Sequence, residues 1–216
     1  ASIDQADLPD DVEVTFGGEI EDQQEAMTFL MGAFVAAIFL MFTILLIQMN
    51  SFYQALLVLT AIVFSISGVF LGLMVRQEAF SIVMSGIGIM ALAGVVVNNN
   101  IVLIDAYNEY RGAGDDPDRA ARRAASERVR PVLLTAGTTV IGLVPMVLGM
   151  TIDFTGRDLF LGAPSGQFWI QLSTGIAGGL VVATAVTLIL TPTLLAWDGR
   201  RRVRRQARRT AAQPAD

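Results

Sequence analysis

Residues 82–106 read IVMSGIGIMALAGVVVNNNIVLIDA, a stretch of 25 residues in which Asp105 carries the one charge. The hydrocarbon core of a bilayer is about 30 Å thick, and a helix of about 20 apolar residues crosses it. Because a backbone in lipid must satisfy its own hydrogen bonds, a spanning segment of this kind is predicted to be helical. Four further apolar runs surround it, at 27–47, 55–75, 131–150 and 172–197. The sequence therefore predicts an all-α membrane protein, a bundle of five transmembrane helices.

The composition agrees with a membrane protein and excludes several kinds of site. Only 16% of the residues are charged, against about 25% in soluble domains, which argues against a soluble enzyme. The 216 residues include no cysteine and no histidine, which excludes disulfides, thiolate metal sites and histidine-based catalysis. Asp105 and Glu109 are four residues apart, but paired carboxylates at a helix end are usually solvated. We therefore predict no enzymatic activity, no cofactor and no metal site.

The charged residues are segregated along the chain. All 15 basic residues are arginines, six of them within 107–130 and seven within 198–216, whereas residues 1–26 hold nine acidic residues and no basic one. Since arginine-rich connections remain cytoplasmic, the N-terminus is predicted to be periplasmic and the C-terminus cytoplasmic. The predicted organisation is an acidic extramembrane head (1–26), a five-span bundle (27–197) and a basic cytoplasmic tail (198–216).

The connection 107–130 is predicted to contain a short amphipathic helix. Asp116 and Pro117 form a helix start, with Asp at the N-cap and Pro at the first helical position. Alanines then recur at helical spacing against arginines. Such a helix either lies on the cytoplasmic membrane surface or is a solvated loop helix, and the sequence leaves both open.

The basic tail has a more specific expected partner. An arginine cluster that directly follows a membrane span usually contacts anionic lipid. We therefore expect anionic lipid at the tail and no nucleic acid.

Small residues mark the expected helix-packing faces. Gly68 and Gly72 form a GxxxG pair in the second span, and Gly175 and Gly179 form another in the fifth. This spacing lets helix backbones approach closely, so the pairs predict a packed bundle.

Polar residues at membrane depth are the candidate functional residues. Asn98, Asn99 and Asn100 interrupt the third span, and Asp105 lies near its cytoplasmic end. Asn98 and Asp105 are seven apart and share a helix face. The asparagines either join helices by hydrogen bonds or line an ion or proton pathway; the residues alone leave both open.

Two blocks of sequence resemble the resistance-nodulation-division (RND) transporters. The first is GVVVNNNIVLID at 94–105; the second is RVRPVLLT at 128–135 followed by TTVIGLVP at 138–145. The head also resembles the last strand of a periplasmic porter domain, with alternating residues at 12–16 before Gly17 and Gly18. The resemblance covers the chain to about Trp197 and implies the eighth to twelfth spans of a twelve-span protein.

The resemblance also implies roles for three residues. Family proton coupling uses an Asp pair on the fourth span, a Lys on the tenth, and an Arg and a Thr around the eleventh. Arg128 and Thr135 match the Arg and Thr positions, and Asn98 occupies the Lys position. The cation that would balance the Asp pair is therefore missing, which puts ordinary proton relay in doubt.

The expected function is that of a half-domain of an RND-like transporter in the bacterial inner membrane. It is expected not to transport alone, and to act with other integral membrane chains as a subunit of a larger membrane assembly. The alternative is an accessory structural subunit of an unrelated membrane complex, derived from a truncated transporter.

Overall fold

The computed structural model describes residues 19–153, 158–161 and 166–211. Five long helices account for most of them: α1 (Glu19–Met49), α2 (Phe52–Arg76), α3 (Ile82–Gly112), α4 (Pro117–Val147) and α5 (Gln167–Ala211). All five are long and apolar enough to cross a membrane. The predicted five-helix membrane bundle is confirmed. The predicted porter-like strand at 12–16 lies outside the described residues.

Helix α5 is the centre of the bundle, because it packs against α2, α3 and α4. Half of its most apolar stretch is buried, against 6% for α1 and 11% for α4. Helices α1 and α4 are therefore peripheral, and most of their apolar surface faces outward.

The helix ends alternate between the two ends of the bundle. At one end, the Arg200 guanidinium pairs with the Asp118 carboxylate at 3.4 Å, which brings the two arginine-rich segments together. At the other end, Arg76 after α2 donates to the carbonyl of Val147 at the end of α4, at 2.9 Å. This arrangement agrees with five alternating spans.

The region 107–147 differs from the sequence expectation. Helix α4 begins at Pro117 with Asp116 at its N-cap, as predicted, but it continues without a break through Pro131 to Val147. Proline is tolerated inside membrane helices because neighbouring groups satisfy the freed backbone carbonyl. The amphipathic stretch is thus the first part of the helix that also forms the fourth span, and it is not a separate helix.

Three alanine side chains of this amphipathic stretch are buried in the protein, so they contact neither lipid nor solvent. Ala120, Ala121 and Ala124 are 0–3% exposed and belong to one core cluster with Tyr107 of α3 and Leu195 of α5. Helix α4 ends where Gly149 adopts a φ of +65°, a left-handed conformation that glycine accepts readily.

A short antiparallel hairpin follows α4, with β1 (Met150–Asp153) paired to β2 (Asp158–Leu161). Met150 lies opposite Leu161, and Asp153 lies opposite Asp158. Helix α5 then extends well past Trp197, so the first part of the predicted tail is helical.

Candidate functional site

The glycines singled out by spacing lie where α2 crosses α5. A Cβ placed on Gly68 would be 2.9 Å from the carbonyl oxygen of Gly178, and one on Gly72 would be 3.0 Å from the Gly178 Cα. Gly175 and Gly179 face Val69 of α2 in the same contact. Gly178 itself is outside both GxxxG pairs, yet a Cβ there would lie 2.6 Å from the Gly72 Cα. Only glycine fits this backbone contact.

Asn100 is fully buried and joins α3 to α5. Its amide nitrogen donates to the Val96 carbonyl and to the Thr187 hydroxyl, each at 3.2 Å. Its amide oxygen accepts from the Thr191 hydroxyl at 2.8 Å. Since an unpaired amide would be unfavourable at this depth, the two threonines are what allow asparagine here.

The sequence reasoning missed Thr187 and Thr191. The sequence does indicate these two residues, because Thr184, Thr187 and Thr191 recur at helical spacing within the fifth span. All three are at most 5% exposed. The threonine spacing therefore marks the face of α5 that meets α3.

A second pair of polar side chains joins α2 to α3. The Gln54 amide donates to the Asn108 side-chain oxygen at 2.7 Å, and Asn108 donates back to the Gln54 oxygen at 3.0 Å. This reciprocal pair lies outside the predicted polar set. The hydroxyls of Tyr53 and Tyr107 donate to the carbonyls of Leu194 and Leu195, each at 3.1 Å, at the same end of the bundle.

Asn98 lies on a different face of α3 from Asn100. Asn98 and Asp105 are both exposed, which agrees with the shared helix face that their spacing predicts, while Asn99 is buried. Within the described residues, Asn98 makes no side-chain hydrogen bond and Asp105 makes no ion pair. The third span thus has a buried polar face at Asn100 and an uncovered one at Asn98 and Asp105.

Thr135 and Arg128 lie on α4. Thr135 is exposed, and among the described residues its hydroxyl donates only to carbonyls of its own helix, Pro131 at 3.1 Å and Val132 at 3.0 Å. Arg128 is half-buried, and its Nε atom is buried without a hydrogen-bond partner among the described groups. No hydrogen bond in the described part of the chain connects Asn98, Arg128 and Thr135 to one another.

These groups supply donors and acceptors but no site that is complete in itself. An asparagine amide, a threonine hydroxyl and a partly desolvated guanidinium can orient and stabilise an anionic group. Asp105 is the one carboxylate of the five predicted spans, and it lies away from the buried network.

The chain is similar to known proteins over most of its length. Residues 1–197 match the AcrB/AcrD/AcrF family. The cobalt-zinc-cadmium resistance protein CzcA of Cupriavidus metallidurans is 34% identical over 190 residues, which cover 88% of this chain and 17% of CzcA. The swarming motility protein SwrC of Bacillus subtilis is 33% identical over 190 residues, with the same coverage of 88% and 17%. The multidrug resistance protein MdtC of Salmonella paratyphi A is 29% identical over 204 residues, with coverage of 94% and 19%.

The fold is similar to that of a solved heavy metal efflux pump. In crystal form II of that pump, the superposition has a TM-score of 0.69 at 33% identity, and it covers 87% of this chain and 18% of the pump. The chain thus spans 17–19% of the length of these relatives. On the extent of the family match, the chain belongs to the AcrB/AcrD/AcrF family of RND proteins.

Proposed function

We propose that the chain forms the eighth to twelfth spans of an RND transporter and acts only together with complementary membrane segments and periplasmic domains. The chain corresponds to about a sixth of its relatives, and its helices α1 and α4 are peripheral. A transport pathway requires two elements that move against each other, and a single half-bundle supplies one of them.

Polar side chains of α3 and α4 that have no partner on another described helix are the observation that carries this proposal. Asn98 and Thr135 are exposed, and the Arg128 Nε atom has no partner within the described residues. At membrane depth, polar side chains face other protein or a water-filled cavity rather than lipid. We infer that the complementary segments contact these side chains, where the resemblance expects the carboxylate pair of the fourth span.

We further propose that the protein lies in the bacterial inner membrane, with its N-terminus periplasmic and its C-terminus cytoplasmic. The ion pair between Arg200 and Asp118 supports this orientation, because it holds both arginine-rich segments at one end of the bundle.

One observation favours an accessory structural role as a second candidate. Asn98 stands where the family pattern has a lysine, so no cation of α3 would balance the carboxylate pair. In that role the chain would pack against the segments of another membrane complex without coupling proton movement to transport.

Reconstitution with and without complementary segments separates the two roles. The chain would be placed in liposomes alone, or with the preceding membrane and periplasmic part of an RND transporter, and a pH-sensitive dye would report proton flux. This readout is independent of substrate identity. A transporter role requires co-purification and a flux that depends on both parts.

Two threonine variants make the test specific. Thr135→Ala should lower the flux, whereas Thr43→Ala should not, because the Thr43 hydroxyl also bonds to its own helix but lies on α1. Co-purification without flux would favour the structural role. Failure of the two parts to associate would overturn the transporter role.

A further inference from the structure

A groove of about 690 Å³ opens between the beginning of α4 and the second half of α5. This volume is within the range of about 300–1,000 Å³ that small-molecule sites occupy. Asp118, Arg122 and Arg200 line one part of the groove, and Ala125, Leu188 and Ile189 line another.

The charged part of the groove is cationic on balance. Arg200 pairs with Asp118 at 3.4 Å, so these two charges largely offset each other. Arg122 makes no ion pair within the described residues, and its Nε atom donates to the backbone carbonyl of Asp118 at 3.3 Å. The terminal nitrogens of Arg122 therefore remain available to an anion.

The apolar part of the groove lies deeper along α5. Ile189 precedes Arg200 by eleven residues, which is about 16 Å at 1.5 Å per residue. Its side chain is 71% exposed, which leaves an apolar surface next to the groove uncovered.

Two residues place the charged part at the membrane interface. The Arg201 guanidinium stacks over the Trp197 ring, 3.5 Å from its centroid. Tryptophan is enriched at the level of lipid headgroups, and a stacked arginine there is favourable. The groove therefore runs from headgroup depth into the hydrocarbon region.

We propose that this groove binds one anionic phospholipid. Its phosphate contacts Arg122 and Arg200, since guanidinium groups match phosphate oxygens in geometry and charge, and an acyl chain lies over Leu188 and Ile189. The excess of one positive charge favours a headgroup that is negative overall. The exposed apolar surface favours a lipid over a soluble anion such as inorganic phosphate.

Electron spin resonance with spin-labelled lipids tests the proposal on the full chain. The chain would be reconstituted in phosphatidylcholine bilayers, and the motionally restricted fraction would be compared for labelled phosphatidylglycerol and phosphatidylcholine. Arg122→Gln should lower the selectivity for phosphatidylglycerol by up to about fivefold, the upper value for one solvent-exposed ion pair between a guanidinium and the lipid phosphate. Millimolar inorganic phosphate should not displace the labelled lipid.

Arg119→Gln is the control, because it removes the same charge from the same helix at a side chain that is 76% exposed, outside the groove and paired with Asp115. Ala125→Phe is the second variant, since it fills the groove and keeps every charge. It should also lower the selectivity. Equal effects of the two arginine variants, an unchanged selectivity in Ala125→Phe, or displacement by phosphate would each overturn the proposal.

Discussion

The Thr191 hydroxyl donates to the side-chain oxygen of Asn100 across 2.8 Å, and this bond joins α5 to α3 in the interior of the bundle. Both residues are at most 2% exposed. The Thr187 hydroxyl accepts a hydrogen bond from the Asn100 amide nitrogen at 3.2 Å. One asparagine thus connects two turns of α5 to a single point on α3, and it does so without a charged group.

Removal of this connection should destabilise the bundle. We expect Asn100→Ala to lower the free energy of unfolding by about 1–2 kcal/mol, and the coupling between Asn100→Ala and Thr191→Val to lie between about 0.6 and 1.7 kcal/mol. Unfolding in mixed detergent micelles, followed by circular dichroism, gives these values in a double-mutant cycle.

Asn98→Ala is the control for that cycle, because Asn98 is exposed two residues away on the same helix. Asn98→Ala should lower the free energy of unfolding by less than Asn100→Ala does. A larger loss in Asn98→Ala, or purely additive effects of the cycle variants, would show that the buried network does not hold α3 to α5.

The contact between Gly178 and Gly72 predicts a second stability effect. A Cβ on Gly178 would lie 2.6 Å from the Gly72 Cα, and backbone atoms cannot yield as a flexible side chain can. We expect Gly178→Ala to lower the free energy of unfolding by about 1–3 kcal/mol, a typical loss from overpacking. Thermal unfolding in detergent measures it.

Gly142→Ala provides the matched comparison. Gly142 lies in α4, and no described atom comes within 4 Å of a Cβ placed there, so the substitution should be neutral or stabilising by up to about 1 kcal/mol. If both variants behaved alike, helix propensity and not the contact between α2 and α5 would explain the result.

The sequence predicted the features that depend on local pattern, and it missed those that depend on how helices cross. The five spans follow from run length, and the spacing of Gly68 and Gly72 marked the correct face of α2. The partner of that face is Gly178, which the GxxxG spacing does not select, because the crossing angle decides which residues of α5 touch α2.

The same distinction applies to the polar residues and to α4. Three consecutive asparagines are equivalent by composition, yet the structure buries Asn100 and exposes Asn98 because the threonines of α5 reach only one face of α3. The arginines of 119–130 favoured a helix distinct from the fourth span. The burial of Ala120 and Ala124 against α5 shows instead why one helix continues from Pro117.

The proposed orientation predicts labelling from opposite sides of the membrane. The chain contains no cysteine, so Ser2→Cys and Ala212→Cys each introduce a single reactive thiol. In right-side-out vesicles, a membrane-impermeant maleimide should label Ser2→Cys and should label Ala212→Cys only after lysis. Labelling of both before lysis would contradict an odd number of spans.

The final prediction is that the chain shows no proton-coupled transport by itself. Such coupling requires a group within the membrane whose charge changes, and Asp105 is the one carboxylate of the five predicted spans. It is exposed at the end of the third span and makes no ion pair with any described arginine. We therefore expect liposomes that contain only the purified chain to hold an imposed pH gradient as long as empty liposomes do. A proton ionophore serves as the positive control for the dye. Reproducible flux from the pure chain that is abolished by Asp105→Asn would refute this prediction, since it would make Asp105 a sufficient proton carrier in a single half-bundle.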